Sequence, residues 1–155
     1  MKEDPGMKKV YENMKPGVVS LHGFLGSDKR NIEQIVEHDL VTLGELGLTT
    51  ETIADMLEKL RDKAFSGFGE WVDIGGGLLA KSDSIRGKLP CPFEHKGLYR
   101  KTVTSIRGEG LDKEVIYTDL GIHLVREHGF FQGKGSPFRL EPEQLFYIFE
   151  KFVYE

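Results

Sequence analysis

The sequence predicts an α+β fold, with a helical hairpin packed on a short antiparallel sheet and a loop-rich C-terminal half carrying two further helices. Three observations support this. Apolar residues recur every three or four positions between 28 and 66. A β-branched run and its partner flank a turn between 98 and 117. Glycine and proline crowd the stretch between those two regions. At 155 residues the chain has the size of one domain, long enough to bury a core without covalent staples.

Residues 1–17 read as a polar lead-in punctuated by Pro5, Gly6, Pro16 and Gly17. Ser27 or Asp28 is the expected cap of a first helix whose stripe runs Ile32, Ile35, Val36, Leu40, Leu43 and stops at Gly44 and Gly47. A second helix starts at Thr49 or Thr50 and carries Ile53, Met56, Leu57, Leu60 and Ala64 on one face. The short link makes residues 28–66 an antiparallel helical hairpin. It is acidic, with nine carboxylates against four basic groups between 28 and 62.

Residues 70–129 are predicted to hold the sheet. Glu70–Ile74 is a short strand followed by three glycines, and residues 79–97 read mostly as loop. Leu98–Arg107 pairs with Glu114–Tyr117 across the turn Gly108–Lys113. Thr118 or Asp119 caps a third helix that ends against Gly129. Pro142 opens a last helix, 142–153, with Leu145, Ile148, Phe149 and Phe152 on its apolar stripe.

Composition restricts the function classes. Residues 1–20 lack an apolar h-region and no run approaches about 18 apolar residues, so neither a signal peptide nor a membrane span is expected. A single cysteine excludes an intrachain disulfide framework and suits a reducing, cytoplasmic setting. Two Asn and three Gln beside 46 charged residues resemble thermophile usage.

Four residues point to a metal. Cys91 and His95 form C-x3-H in a proline-flanked loop, and His123 and His128 form H-x4-H around the third helix. Zinc prefers sulfur and imidazole donors in a tetrahedron, often two from a tight knuckle and two from a helix. The order knuckle, hairpin, helix resembles a ββα zinc finger in architecture, although the spacer is longer and one thiolate is replaced by imidazole. At about 100° per residue, His123 and His128 stand roughly 140° apart on a straight helix, which aims the rings apart. Cys91 otherwise reads as a small buried residue, His128 as a cation at a helix C-terminus, and His123 as a partner of Asp119.

The leading expectation is a structural zinc site of Cys91, His95, His123 and His128 in a protein that binds rather than catalyses. The alternative is a metal-dependent enzyme of the hydrolase type that uses His123 with Asp119 or Glu127, residues spaced i, i+4, i+8. His22 and His38 are lesser candidates.

A third class is a metal-free interaction module. Residues 81–108 carry seven basic groups against Asp83 and Glu94, and Tyr99 is available for stacking, so a basic hairpin could touch phosphate backbone. The overall charge of −4 and pI near 5.8 make nucleic acid the weaker partner. The Phe-rich tail suits a core or an interface between copies of the chain. V-D-I-G-G-G lacks the helix that a dinucleotide fingerprint opens and reads as a bulge or flexible turn; Gly129–Ser136 misses the phosphate-loop spacing, and residues 130–141 read as an irregular or β-like connection.

Overall fold

The computed structural model describes residues 5–153. Among them are α1 (Pro5–Asn13), α2 (Ile32–Glu45), α3 (Thr50–Phe65), β1 (Val72–Gly75), β2 (Leu78–Asp83), β3 (Lys88–Pro90), β4 (Leu98–Arg100), β5 (Val103–Gly108), β6 (Val115–Thr118), α4 (Asp119–His128) and α5 (Pro142–Val153). The predicted mixture of helices and antiparallel strands is present. Among the described residues no helix is long and apolar enough to cross a membrane.

One four-stranded antiparallel sheet runs β1-β2-β5-β6, and β3 pairs β4 in a separate two-stranded sheet. Two expectations are corrected here. The stretch 79–97 contains strands β2 and β3, because Leu78, Ala80 and Ser82 alternate inward and pair with β5 at Ala80↔Ile106 and Ser82↔Thr104. The single strand expected over 98–107 is split at residues 101–102, its first part joining the small sheet and its second the large one. The three glycines form the β1–β2 turn at positive φ, with a register shift between Asp73 and Gly75. A Cβ on Gly76 would stand 3.0 Å from the Lys151 carbonyl oxygen, so α5 packs directly onto this turn.

Two hydrophobic cores result. In the larger, α3 lays Ile53, Met56, Leu57, Leu60 and Ala64 over Ile74, Leu78, Ala80, Ile106 and Tyr117, while Leu145 and Ile148 of α5 close the end. Tyr117 is fully buried and donates its hydroxyl proton to the Leu57 carbonyl at 2.8 Å. The smaller core gathers Val10, Met14, Phe24, Ile32, Ile35, Cys91, Leu120, Leu124 and Phe130.

The two helices of the predicted hairpin divide between these cores. The whole stripe of α3 faces the sheet, whereas α2 gives Leu43 to the larger core and Ile32 and Ile35 to the smaller. The cap of α2 is Asn31, not Ser27 or Asp28. Asn31 Oδ1 accepts from Gln34 N at 2.8 Å and Gln34 Oε1 accepts from Asn31 N at 3.0 Å, a reciprocal capping box. Asp28 is instead held by the Arg30 guanidinium at 2.6 Å. Thr49 and Thr118 cap α3 and α4 as expected.

The lead-in is corrected as well. From Pro5 to Asn13 it is helical, and Val10 and Met14 are 5% and 1% exposed. Met7, Val10, Tyr11 and Met14 follow the i, i+3, i+4, i+7 pattern of a buried stripe, which the surrounding lysines and glycines obscure. Residues 1–4 lie outside the described residues. Near the C-terminus, Arg139 is almost buried and grips the fully buried Asp39 of α2 and Glu141, while donating to the Gln132 carbonyl at 2.9 Å. The glycine-rich segment here is a packing device. A Cβ on Gly133 would stand 2.3 Å from the Leu25 carbonyl oxygen, where the two loops meet backbone to backbone.

Candidate metal centre

The loop joining β3 to β4 carries Cys91 and His95. Its shape is set locally. Glu94 N donates to the Cys91 carbonyl at 3.2 Å, closing a tight turn, and Glu94 and Gly97 hold positive φ of 65° and 122°. Phe93 N points at the Cys91 sulfur at 3.4 Å, the arrangement of a knuckle whose amides face a thiolate. Asn13 at the end of α1 donates to the Pro92 carbonyl at 2.9 Å and reaches Glu94 Oε1 at 3.3 Å. The N-terminal helix, unexpected from the sequence, therefore positions the knuckle.

Helix α4 supplies the other two candidates. Thr118 Oγ1 accepts from Gly121 N at 3.0 Å to start it, and Gly129 at φ 60° stops it directly after His128. The predicted divergence of His123 and His128 does not prevent their meeting, since their ring centroids lie 5.2 Å apart. Between them on the helix surface runs the strip of Leu120 and Leu124, which shares the smaller core with Cys91. Cys91 of the knuckle packs in that same core, and His123 and His128 each bring a ring nitrogen close to its sulfur.

Cys91, His123 and His128 thus bring one ligand atom each within 4.8 Å of one another, a group that could hold a metal ion. Cys91 Sγ is 3.4 Å from His128 Nε2. His95 Nδ1 is 3.3 Å from His123 Nε2, and its ring is 4.9 Å and 5.5 Å from those of His123 and His128. His95 stands at the rim of the cluster, exposed, whereas Cys91 and His123 are buried. Aromatic faces fix two of the rings. Phe93 stacks on His128 at 4.3 Å and Tyr99 on His123 at 4.2 Å.

The electrostatics suit metal ligation. Burial, followed by the charges of His128 and His95, brings the His123 pKa down to about 4. Burial and His95 lower that of His128 in the same direction. Both imidazoles are therefore neutral at pH 7, the state that ligates. Burial raises the Cys91 thiol pKa, opposed by the amides of Phe93 and His95, and a cation at this point would reverse the balance.

The remaining candidates are placed differently. Asp119 pairs with Arg61 at 3.2 Å rather than with His123. Glu127 is exposed, one turn beyond His123. Together with Tyr99 and Arg100, these residues line a cleft of about 510 Å³ between α3, α4 and β4, with His123 among its walls. His22 and His38 are exposed, and the His38 ring lies 3.7 Å from the Asp39 carboxylate. The basic groups of 81–108 are spread over both sheets. Lys88 and Arg100 face each other across β3–β4, while Arg107 stacks on Trp71 at 4.0 Å with Lys81 on the same ring at 5.5 Å.

Sequence reasoning missed Asn13, Phe93 and the seating role of Tyr99. The heptad-like spacing of Met7 to Met14 carried the signal for Asn13, and the two aromatics beside C-x3-H are visible in the sequence without a spacing rule that ties them to the histidines. No protein-family pattern, curated protein or solved structure matches the chain, so the geometry of the site supplies the functional evidence.

Proposed function

We propose that Cys91, His95, His123 and His128 bind one zinc ion and that the site is structural, tying the β3–β4 knuckle to α4 in a protein whose role is binding. The supporting observation is the pair of donor contacts. With Zn–N near 2.0–2.1 Å and Zn–S near 2.3 Å, a tetrahedral site has N···N edges of about 3.3 Å and S···N edges of about 3.6 Å. The His95–His123 and Cys91–His128 separations of 3.3 Å and 3.4 Å fall at those lengths, between groups with no carboxylate among them. Borderline-soft sulfur and nitrogen donors select zinc over calcium or magnesium.

Elemental analysis of protein purified without a metal-affinity tag tests the reading. It expects about one zinc per chain, and a thermal midpoint that falls on chelation. Background metal and a midpoint indifferent to chelator would overturn it.

The cleft beside His123 favours a second reading, a metal-dependent hydrolase. With Asp119 engaged by Arg61, the proton-transfer role falls to Glu127. In that case Glu127→Gln keeps zinc and folding but abolishes an activity found in a hydrolase screen. Full activity in that variant eliminates this assignment.

A further inference from the structure

The four candidate ligands are not equally held. Cys91 is 3% exposed within the smaller core, His123 is 8% exposed beneath Tyr99, and His128 lies flat against Phe93. His95 has none of these restraints. It belongs to an exposed run, residues 94–97, bounded by the positive-φ positions Glu94 and Gly97. Its ring is tilted by 34° against His123 and edge-on to His128, with neither stacked flat on it. The three tightly packed residues converge by themselves, and the exposed His95 joins them through His123, at 3.3 Å.

We propose that His95 is a displaceable ligand, so that the metal can present its fourth coordination position to small exogenous donors. This inference rests on the zinc reading above. The donors it admits are monodentate and small, water or hydroxide first and compact anions next, because Cys91, His123 and His128 occupy the protein side of the tetrahedron. The cleft walled by Tyr99, His123 and Glu127 shares His123 with the cluster, and the exposure of His95 gives the incoming ligand access. A centre of one thiolate and two imidazoles with a vacant vertex is electronically suited to bind and polarise water, since three-ligand zinc sites keep that position for solvent. Release of His95 exchanges one zinc–nitrogen bond for one zinc–oxygen bond and changes no oxidation state.

Cobalt(II) replaces zinc as a spectroscopic probe, with the full chain titrated as wild type, His95→Ala and Cys91→Ser, and with azide as the exogenous ligand. Substitution of the exposed His95 leaves the core intact, which near-ultraviolet circular dichroism verifies. His95→Ala is expected to retain one cobalt per chain with affinity lowered about tenfold, against a loss beyond about 100-fold for Cys91→Ser. Azide should then shift the visible d–d bands of His95→Ala at lower concentration than those of the wild type. If His95→Ala loses cobalt as completely as Cys91→Ser, His95 is an obligatory ligand and the inference fails while the zinc site stands. It fails equally if cobalt stays bound but azide leaves the bands unchanged. Failure of the wild type to bind either metal overturns the underlying reading instead.

Discussion

The larger core is held by a repeating pattern, and the smaller core by a few specific residues. Under the sheet, α3 offers one unbroken apolar stripe, and inward residues of four strands meet it in strict alternation. Around Cys91 the periods are too short to form such a stripe. One or two residues arrive from each of α1, α2, α4 and three loops, and polar groups such as Asn13 sit among them. Phe130 and Phe131, adjacent in the chain, point one into each. Periodic burial stabilises a region without help, whereas a core assembled from isolated residues and short strands gains more from a cross-link. The candidate metal site lies in the second kind.

The largest effect expected from this contrast is in the larger core. Leu57 is fully buried, and Leu57→Ala should lower stability by about 2–5 kcal/mol. Urea unfolding with and without chelator checks it, and the loss should be the same in both. A loss that vanishes on chelation would mean that the two cores are not energetically separate.

Cys91→Ser comes next. It should remove the metal-dependent part of the stability, which is about 2.7 kcal/mol for a ligand at 100 times its dissociation constant. Chelator should then have no further effect on the variant. Hydrogen exchange localises the change, with amides of residues 91–100 and α4 losing protection while β2 and β5 keep theirs.

The same contrast explains what the sequence disclosed. Both main helices of 28–66, the β5–β6 hairpin, α4 with its Gly129 stop and α5 from Pro142 are legible because each repeats a local period and ends on a cap or breaker. The smaller core is not. Met7, Val10, Tyr11 and Met14 make only two turns among lysines, and the two strands of β3–β4 span three residues each, too few for a period to show. The site residues are visible as residue types. Their convergence is not, because a helical wheel places His123 and His128 apart and cannot show a loop that packs Cys91 into one core with Leu120 and Leu124. Spacing also makes His95 equal to the other three, since exposure is not a property of spacing.

Acid should separate the two regions in chelated protein. His123, held down at about 4 by burial, and His128, shifted the same way, bind fewer protons folded than unfolded as pH falls below the usual imidazole value of about 6.5. Stability therefore declines first in the window between about 6.5 and 4. The carboxylates follow at lower pH. Arg30 holds the Asp28 pKa well below the usual range, and Arg139 lowers that of Glu141. Their contribution is present above about 4, the unfolded value, and is lost below it as pH falls towards their lowered folded-state values. A pH series of urea midpoints should show both declines. His123→Phe should shrink the first to the part carried by His128 and leave the second; a first decline of unchanged size would detach it from His123.

The smallest effect falls at the joint between the regions. Thr118 is the last residue of β6 and the cap of α4, so its backbone belongs to the sheet and its side chain to the ligand helix. Loss of its hydroxyl leaves Gly121 N without its 3.0 Å acceptor, and Thr118→Ala should lower stability by about 1 kcal/mol. Zinc affinity should stay within a factor of two or so, because His123 and His128 lie later in α4 and are seated by Phe93, Tyr99 and the Leu120–Leu124 strip rather than by the cap. Competition with a chromophoric chelator measures this. A tenfold fall in affinity would instead show that the sheet, through Thr118, sets the register of the ligand helix, and that the two cores are coupled at that residue.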